Sequence, residues 1–181
     1  MQKKHKDVLF GSLQIMTVSA FLCALSIICG KYLAIPVGNI LRFSFENTPI
    51  LFAGIMFGPI VGAVVGAVAD LVGCIMVGYV INPIVTLGAV SIGLIGGLGR
   101  ILTKKLPLSL SVAITVVSAH LAGSVIIKTF GLAKFYSMPF MLLMVWRALN
   151  YLIIAIPEFL ILYYLSKSKS VTSQIEKLKK R

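Results

Sequence analysis

The sequence predicts an all-α integral membrane protein: one compact bundle of six transmembrane helices, spanning residues 1–181, with both termini in the cytoplasm. Three observations carry this expectation. Of the 181 residues 59% are apolar and the mean hydropathy is +1.02, more apolar surface than a water-soluble domain can hide. Uncharged stretches cover Val8 to Gly30, Asn47 to Ala69, Leu71 to Gly99, Leu106 to Ile127 and Met138 to Trp146, the last resuming after Arg147; stretches of this kind are read as membrane helices, not as the short alternating strands of a barrel. Third, six spans put twelve of the 17 basic residues on the inner side: Lys3, Lys4, Lys6, Arg100, Lys104, Lys105, Lys167, Lys169, Lys177, Lys179, Lys180 and Arg181. Four, Lys31, Arg42, Lys128 and Lys134, stay outside, and Arg147 lies in the membrane. That is the positive-inside pattern. The net charge of +12 is therefore a topology signal with anionic lipid as its neighbour, and nucleic acid is not implied.

The elements follow in order. Helix 1 is expected from about Leu9 to Gly30. It is too long for the apolar core of a signal peptide and lacks a small-x-small cleavage site, so it reads as a retained span. A polar outer loop covers Lys31 to Glu46. Gly58-Pro59 divides the next stretch, since proline suits the first turn of a helix; this predicts a short helix 2 over Asn47–Phe57 and helix 3 over about Pro59 to Val77. Tyr79 to Pro83 is an outer loop, and helix 4 continues to about Leu102. The turn Lys104-Lys105-Leu106-Pro107 is inside. Helix 5 covers about Leu108 to Phe130, Gly131 to Pro139 forms an outer loop, and helix 6 extends to about Leu165. Residues 166–181 form a basic tail. Residues at intervals of four form mostly small stripes, at Gly58, Gly62, Gly66, Asp70, Cys74 and Gly78 and again at Ala89, Gly93 and Gly97. Such stripes let helix backbones approach closely in lipid.

Arg147 is the most informative polar residue. A guanidinium keeps its charge, and placing it in a bilayer costs about 2.5 kcal/mol or more. A helix starting near Met138 puts it about 13 Å along the axis. It must face a protein interior or water-filled cavity with an anionic partner, or else snorkel to the headgroups. Asn150, Tyr151 and Glu158 share its helix face by spacing. His120, Ser124 and Lys128 form a stripe on helix 5, Asp70 lies midway along helix 3, and Arg42, Glu46 and Asn47 stand at the outer start of helix 2. Tyr79, Asn82, Lys134 and Tyr136 occupy the other outer loops. The polar groups thus converge on the outer half of the bundle, and cations, amides and aromatic rings together suit an anionic, ring-bearing small molecule. Bland roles stay open for several. Asp70 can pair with a buried base or cap a kink, Glu158 and His120 can be packing groups, Arg42 and Lys128 can be solvated, and Asn82 can be turn chemistry.

Enzyme signatures are missing: the chain has no phosphate-binding glycine loop, no His-Glu-x-x-His and no Gly-x-Ser-x-Gly elbow. Cys23, Cys29 and Cys74 all lie in apolar runs, unsuited to a disulfide framework or a metal site. No cofactor or metal is expected.

The stretch Ser44-Phe45-Glu46-Asn47-Thr48-Pro49, followed at 54–73 by Gly-Ile-Met-Phe-Gly-Pro-Ile-Val-Gly-Ala-Val-Val-Gly-Ala-Val-Ala-Asp-Leu-Val-Gly, resembles substrate-binding S components of energy-coupling factor (ECF) vitamin transporters. The resemblance covers nearly the whole chain. Leu41-Arg42-Phe43-Ser44-Phe45, Ile81-Asn82-Pro83-Ile84-Val85-Thr86-Leu87-Gly88-Ala89 and Trp146-Arg147-Ala148-Leu149-Asn150-Tyr151 are most similar to folate-specific members. Asn82-Pro83 departs from the Phe-Pro-Gly expected of some of these.

The resemblance implies a subunit of a prokaryotic plasma membrane that captures a vitamin from outside, beneath the first, third and fifth loops. It also implies partners: a membrane T component and two ATPases. Ala20-x-x-x-Ala24 resembles the motif that docks the T component. For folate, Arg42, Lys128 and Lys134 become candidates for the glutamate carboxylates. Glu46, Asn47, Asp70, Asn82, Arg147 and Asn150 become candidates for the deeper polar contacts, with Tyr79, Tyr136 and Trp146 stacking on the rings. Thiamine, riboflavin and pantothenate remain alternatives, as does a stand-alone secondary transporter in which Asp70 or Glu158 carries protons, or an accessory subunit without a ligand.

Overall fold

The computed structural model describes residues 13–37 and 41–180. The expected start of helix 1 near Leu9, the flanking Lys3, Lys4 and Lys6, and Arg181 lie outside the described residues. Among the described residues five helices are long and apolar enough to cross a membrane: α1 (Leu13–Tyr32), α3 (Pro59–Met76), α4 (Pro83–Leu102), α5 (Leu108–Tyr136) and α6 (Phe140–Lys167). Between α1 and α3 stand a two-stranded antiparallel hairpin, β1 (Ile35–Val37) and β2 (Leu41–Phe43), and the shorter apolar helix α2 (Asn47–Phe57). A last helix, α7 (Lys169–Lys180), follows α6.

Helix α2 is the centre of the bundle. Its 11 residues extend only about 16 Å, roughly half the hydrocarbon thickness, and nearly all of them are buried. A helix enclosed on every side needs no polar face, and beyond its first turn this one has none. Leu51 packs in a core with Val65, Ile92, Val112, Val116 and Leu162. The chain reverses at Gly58, whose φ of 102° falls in the left-handed region that glycine adopts without strain, and Pro59 starts α3.

The four-residue glycine stripes become the seams between α2, α3 and α4. A Cβ added at Gly93 would collide with the backbone of Gly62, and one at Gly66 with that of Ala89. The small residues replace hydrophobic driving force with close backbone contact, as helix association in lipid requires. Gly93→Ala is expected to destabilise the protein by about 1–3 kcal/mol, because backbone cannot retreat as a side-chain tip can. Thermal unfolding in detergent reads this as a lowered midpoint.

Three elements differ from expectation. The outer loop Lys31 to Glu46 contains the hairpin; Pro36 is tolerated because the ribbon has free edges. Helix α5 runs past Phe130 to Tyr136 and stops only where Ser137 takes a positive φ of 53° ahead of Pro139, so Lys134 sits within a helix. An eight-residue π-helical segment, His120–Ile127, lies inside it. The basic tail is helical because Val171, Ile175 and Leu178 recur on one face; Ile175 is buried in the core, and the chain bends at Ser168 to let α7 fold back.

Candidate ligand-binding site

At the end of the bundle where α1 finishes and α2 begins, a cavity of about 550 Å³ opens between the hairpin and helices α3 to α6. That size falls within the usual range of small-molecule sites, roughly 300–1,000 Å³. Arg42, Glu46, Asp70, Tyr79, Asn82, Lys128, Tyr136, Arg147 and Asn150 all line it, together with Lys31, Ser44, Cys74, Tyr151 and an apolar wall of Val80, Val85, Leu132, Phe135, Met138 and Leu143.

The floor is built by α5 and α6. Arg147 donates from Nε and Nη2 to the Ser124 carbonyl, at 3.4 and 3.2 Å, and from Nη2 to the Tyr151 hydroxyl at 3.3 Å. Its guanidinium also lies 5.4 Å from the Tyr151 ring centre. Among the described residues no carboxylate pairs with it; Glu46 is paired with Lys128, and Glu158 is hydrogen-bonded to His120. Arg147 is thus aimed and held, with its charge unmatched. Asn150 donates to the Arg42 carbonyl at 3.1 Å, which fixes the orientation of its amide. Its Oδ1 is buried without a hydrogen-bond partner, a free acceptor of the kind that calls for a donor.

The wall adds Asp70, which accepts a 2.7 Å bond from the Thr86 hydroxyl instead of pairing with a buried base or capping a kink. Asn82 caps α4 by accepting from Ile84 N at 3.0 Å and donates to the Gly131 carbonyl at 2.9 Å, so turn chemistry and cavity lining coincide in one residue. At the mouth, two cations stand over Tyr79, with Lys31 Nζ 5.5 Å and the Arg42 guanidinium 5.9 Å from its ring centre. Arg42 also donates to the Gly30 carbonyl.

Lys128 is not the mouth cation that an outer-loop position implied. Its side chain is 5% exposed and donates to Glu46 Oε1 at 2.9 Å and to Asn47 Oδ1 at 3.5 Å. Burial by itself would raise the Glu46 carboxyl. The Lys128 ammonium, aided by Lys31 and Arg42, outweighs it and holds the group at about 2, below its ordinary 4.5. A depressed carboxylate stabilises the fold above its ordinary value and loses that contribution as the pH falls through the folded value. The Glu46–Lys128 pair is therefore expected to contribute in full from neutral pH down to 4.5 and to be spent only near 2. Comparing unfolding midpoints of the parent and Glu46→Gln across this acid range checks it.

Three candidates lie off the cavity. Asn47 is fully buried beneath it and donates to Ser124 Oγ at 3.5 Å. Trp146 is 47% exposed on the outer side of α6, so it does not stack on anything inside; the helix turn that aims Arg147 inward aims its neighbour outward. Lys134 is likewise exposed and does not line the cavity. Ala20 and Ala24 lie on the exposed face of α1. Among residues the sequence reading left out of the site, Cys74 continues the four-residue stripe through Asp70, and Tyr151 lies one turn beyond Arg147. Both spacings were available signals.

Counted formally, Lys31, Arg42, Lys128 and Arg147 face Glu46 and Asp70 across the cavity, an excess of two positive charges. Fold and cavity together define a helical membrane protein organised around a polar chamber at one end of its bundle. The chain belongs to the family of ECF transporter substrate-specific components, whose pattern it matches over residues 14–166.

Among individual relatives, "Folate transporter FolT" of Clostridium novyi (strain NT) is 36% identical over 59 residues. That match spans 33% of this chain and 34% of the relative, about a third of each. The solved structure "Crystal structure of FolT bound with folic acid" is similar with a TM-score of 0.71 and 23% identity, covering 88% of this chain and 97% of that one. An S component for biotin from an ECF-type ABC transporter gives a TM-score of 0.62 and 19% identity over 93% of this chain and 96% of that one. At these identities the two structures establish a shared fold.

Proposed function

We propose that this chain is the folate-binding S component of an ECF-type importer in a prokaryotic plasma membrane. The chamber's composition carries the reading: a formal excess of two positive charges around an orphan acceptor and aromatic rings. Folate brings two carboxylates and a flat ring with N–H donors. The ring lies at the floor, where Asn150 Oδ1 and the free oxygen of Asp70 accept and Arg147 donates. The carboxylates lie at the mouth between Lys31 and Arg42, against Tyr79. The partial likeness to a folate transporter supports the same ligand.

The bundle crosses six times, with α2 as the short second crossing, and both termini are cytoplasmic. Arg100, Lys104, Lys105, Lys167 and Lys169 stand at the end opposite the cavity, which supports an outward-facing mouth. The chain lacks a nucleotide-binding motif, so ATP is hydrolysed by two partner subunits. The small Ala20 and Ala24 side chains leave α1 flat enough for a membrane T component to dock closely and reversibly.

The ultraviolet spectrum of the detergent-purified protein, before and after folic acid is added and excess removed, tests the ligand. A retained pterin band at one ligand per chain supports the reading. No retained band, with retention of thiamine, riboflavin or pantothenate instead, replaces folate by that vitamin.

A further inference from the structure

Below the chamber a chain of hydrogen bonds leads into the middle of the bundle and ends on a buried carboxylate. Lys128 donates to Asn47 Oδ1 at 3.5 Å, and Asn47 Nδ2 lies 3.5 Å from Ser124 Oγ. Ser124 Oγ lies 3.3 Å from His120 Nδ1, and His120 Nε2 meets Glu158 Oε2. The other oxygen of Glu158 accepts from the Thr48 hydroxyl at 2.8 Å. Every link is satisfied at once with His120 neutral and its proton on Nε2, so that donors point one way from Lys128 to Glu158. His120 is 3% exposed, and Glu158 and Ser124 are 0% exposed. None of the three lines the cavity, and the proposed function gives them no task.

Two features set this chain apart from ordinary core polarity. His120 and Ser124 bracket the first turn of the π-helical segment, a local distortion that needs a cause to persist and that recurs at functional sites. The carbonyl of the same Ser124 receives Arg147 through both Nε and Nη2 as well as the Thr129 hydroxyl. Ser124 is therefore a junction, with its hydroxyl facing His120 and its carbonyl holding the unmatched guanidinium. His120 also stacks on Tyr151, with ring centres 4.9 Å apart, and the Tyr151 hydroxyl is the remaining partner of Arg147.

We infer that His120 is a positioning residue for ligand binding: through Ser124 it staples the π-helical turn and so sets the carbonyl that aims Arg147 into the chamber. The inference rests on the proposed reading that Arg147 meets an anionic ligand there. It acts on the guanidinium and not on the ligand.

Two amide substitutions divide the histidine's roles. Gln at 120 reaches Glu158 but not Ser124, whereas Asn reaches Ser124 but not Glu158. His120→Gln is expected to weaken folic acid binding about tenfold while its unfolding midpoint stays near that of the parent. His120→Asn is expected to keep affinity within about threefold while its midpoint falls. Parent-like affinity in His120→Gln overturns the inference, as does affinity that follows the midpoint in both variants. A crystal structure of unliganded His120→Gln supplies an arm that needs no folate. Arg147 released from the Ser124 carbonyl supports the positioning role and an unmoved Arg147 refutes it, even if the parent fails to bind folic acid and the folate reading falls alone.

Discussion

Replacing Arg147 with alanine is expected to weaken folic acid binding about 100-fold, roughly 3 kcal/mol, measured as a dissociation constant by titration in detergent. The size of the effect follows from preparation. The guanidinium is already oriented by the Ser124 carbonyl and the Tyr151 hydroxyl, so little ordering cost remains when a ligand arrives. Its charge lacks a carboxylate partner among the described residues, and its side chain is partly buried in the chamber wall. Alanine halves the chamber's formal positive excess and leaves the Ser124 carbonyl without its two guanidinium donors. Arg147→Lys is expected to fall between, because an ammonium is a point charge that cannot hold the carbonyl and a ligand in one planar fork. The thermal midpoint of each variant separates lost recognition from lost folding.

Glu158→Ala is expected to cost about 2–6 kcal/mol of stability, about 1–3 kcal/mol for each of the two buried groups it leaves unpaired. Glu158 is 0% exposed and serves Thr48 of α2 and His120 of α5 from its place on α6. Those three helices meet at this one carboxylate. Its removal strands an imidazole and a hydroxyl where water does not reach, and each orphan adds its own desolvation cost. Glu158→Gln retains an acceptor for Thr48 and is expected to recover part of the loss. Thermal unfolding in detergent measures both.

Much of this was legible in the sequence because two signals were strong. Long apolar runs punctuated by Gly58-Pro59 and Asn82-Pro83 defined α2, α3 and α4 to within a residue or so at their ends. The spacing of Arg147, Asn150 and Tyr151 put all three on one helix face, and all three line the cavity. The four-residue glycine stripes announced backbone seams, which the collision of a Cβ at Gly93 with Gly62 makes concrete.

What was hidden depended on tertiary context. Lys128 looked like a mouth cation because nothing local reveals that Glu46, 82 positions earlier, folds against it. His120 and Glu158 each looked like a packing group, because their partnership joins two helices and a π-helical distortion that apolar periodicity does not encode. Trp146 shows the opposite error: the resemblance to folate-specific members offered it as a stacking ring, while the helical phase that turns Arg147 inward turns its neighbour outward. The hairpin was masked by a short, mixed loop, and α7 by a lysine count that concealed Val171, Ile175 and Leu178.

The most direct test of the account is a crystal structure of this protein with folic acid. The account predicts the pterin at the chamber floor, with a ring N–H donating to Asn150 Oδ1 and Arg147 in contact with the ligand, and the glutamate carboxylates between Lys31 and Arg42. A ligand bound elsewhere, or one in the chamber that leaves Arg147 and Asn150 untouched, contradicts it.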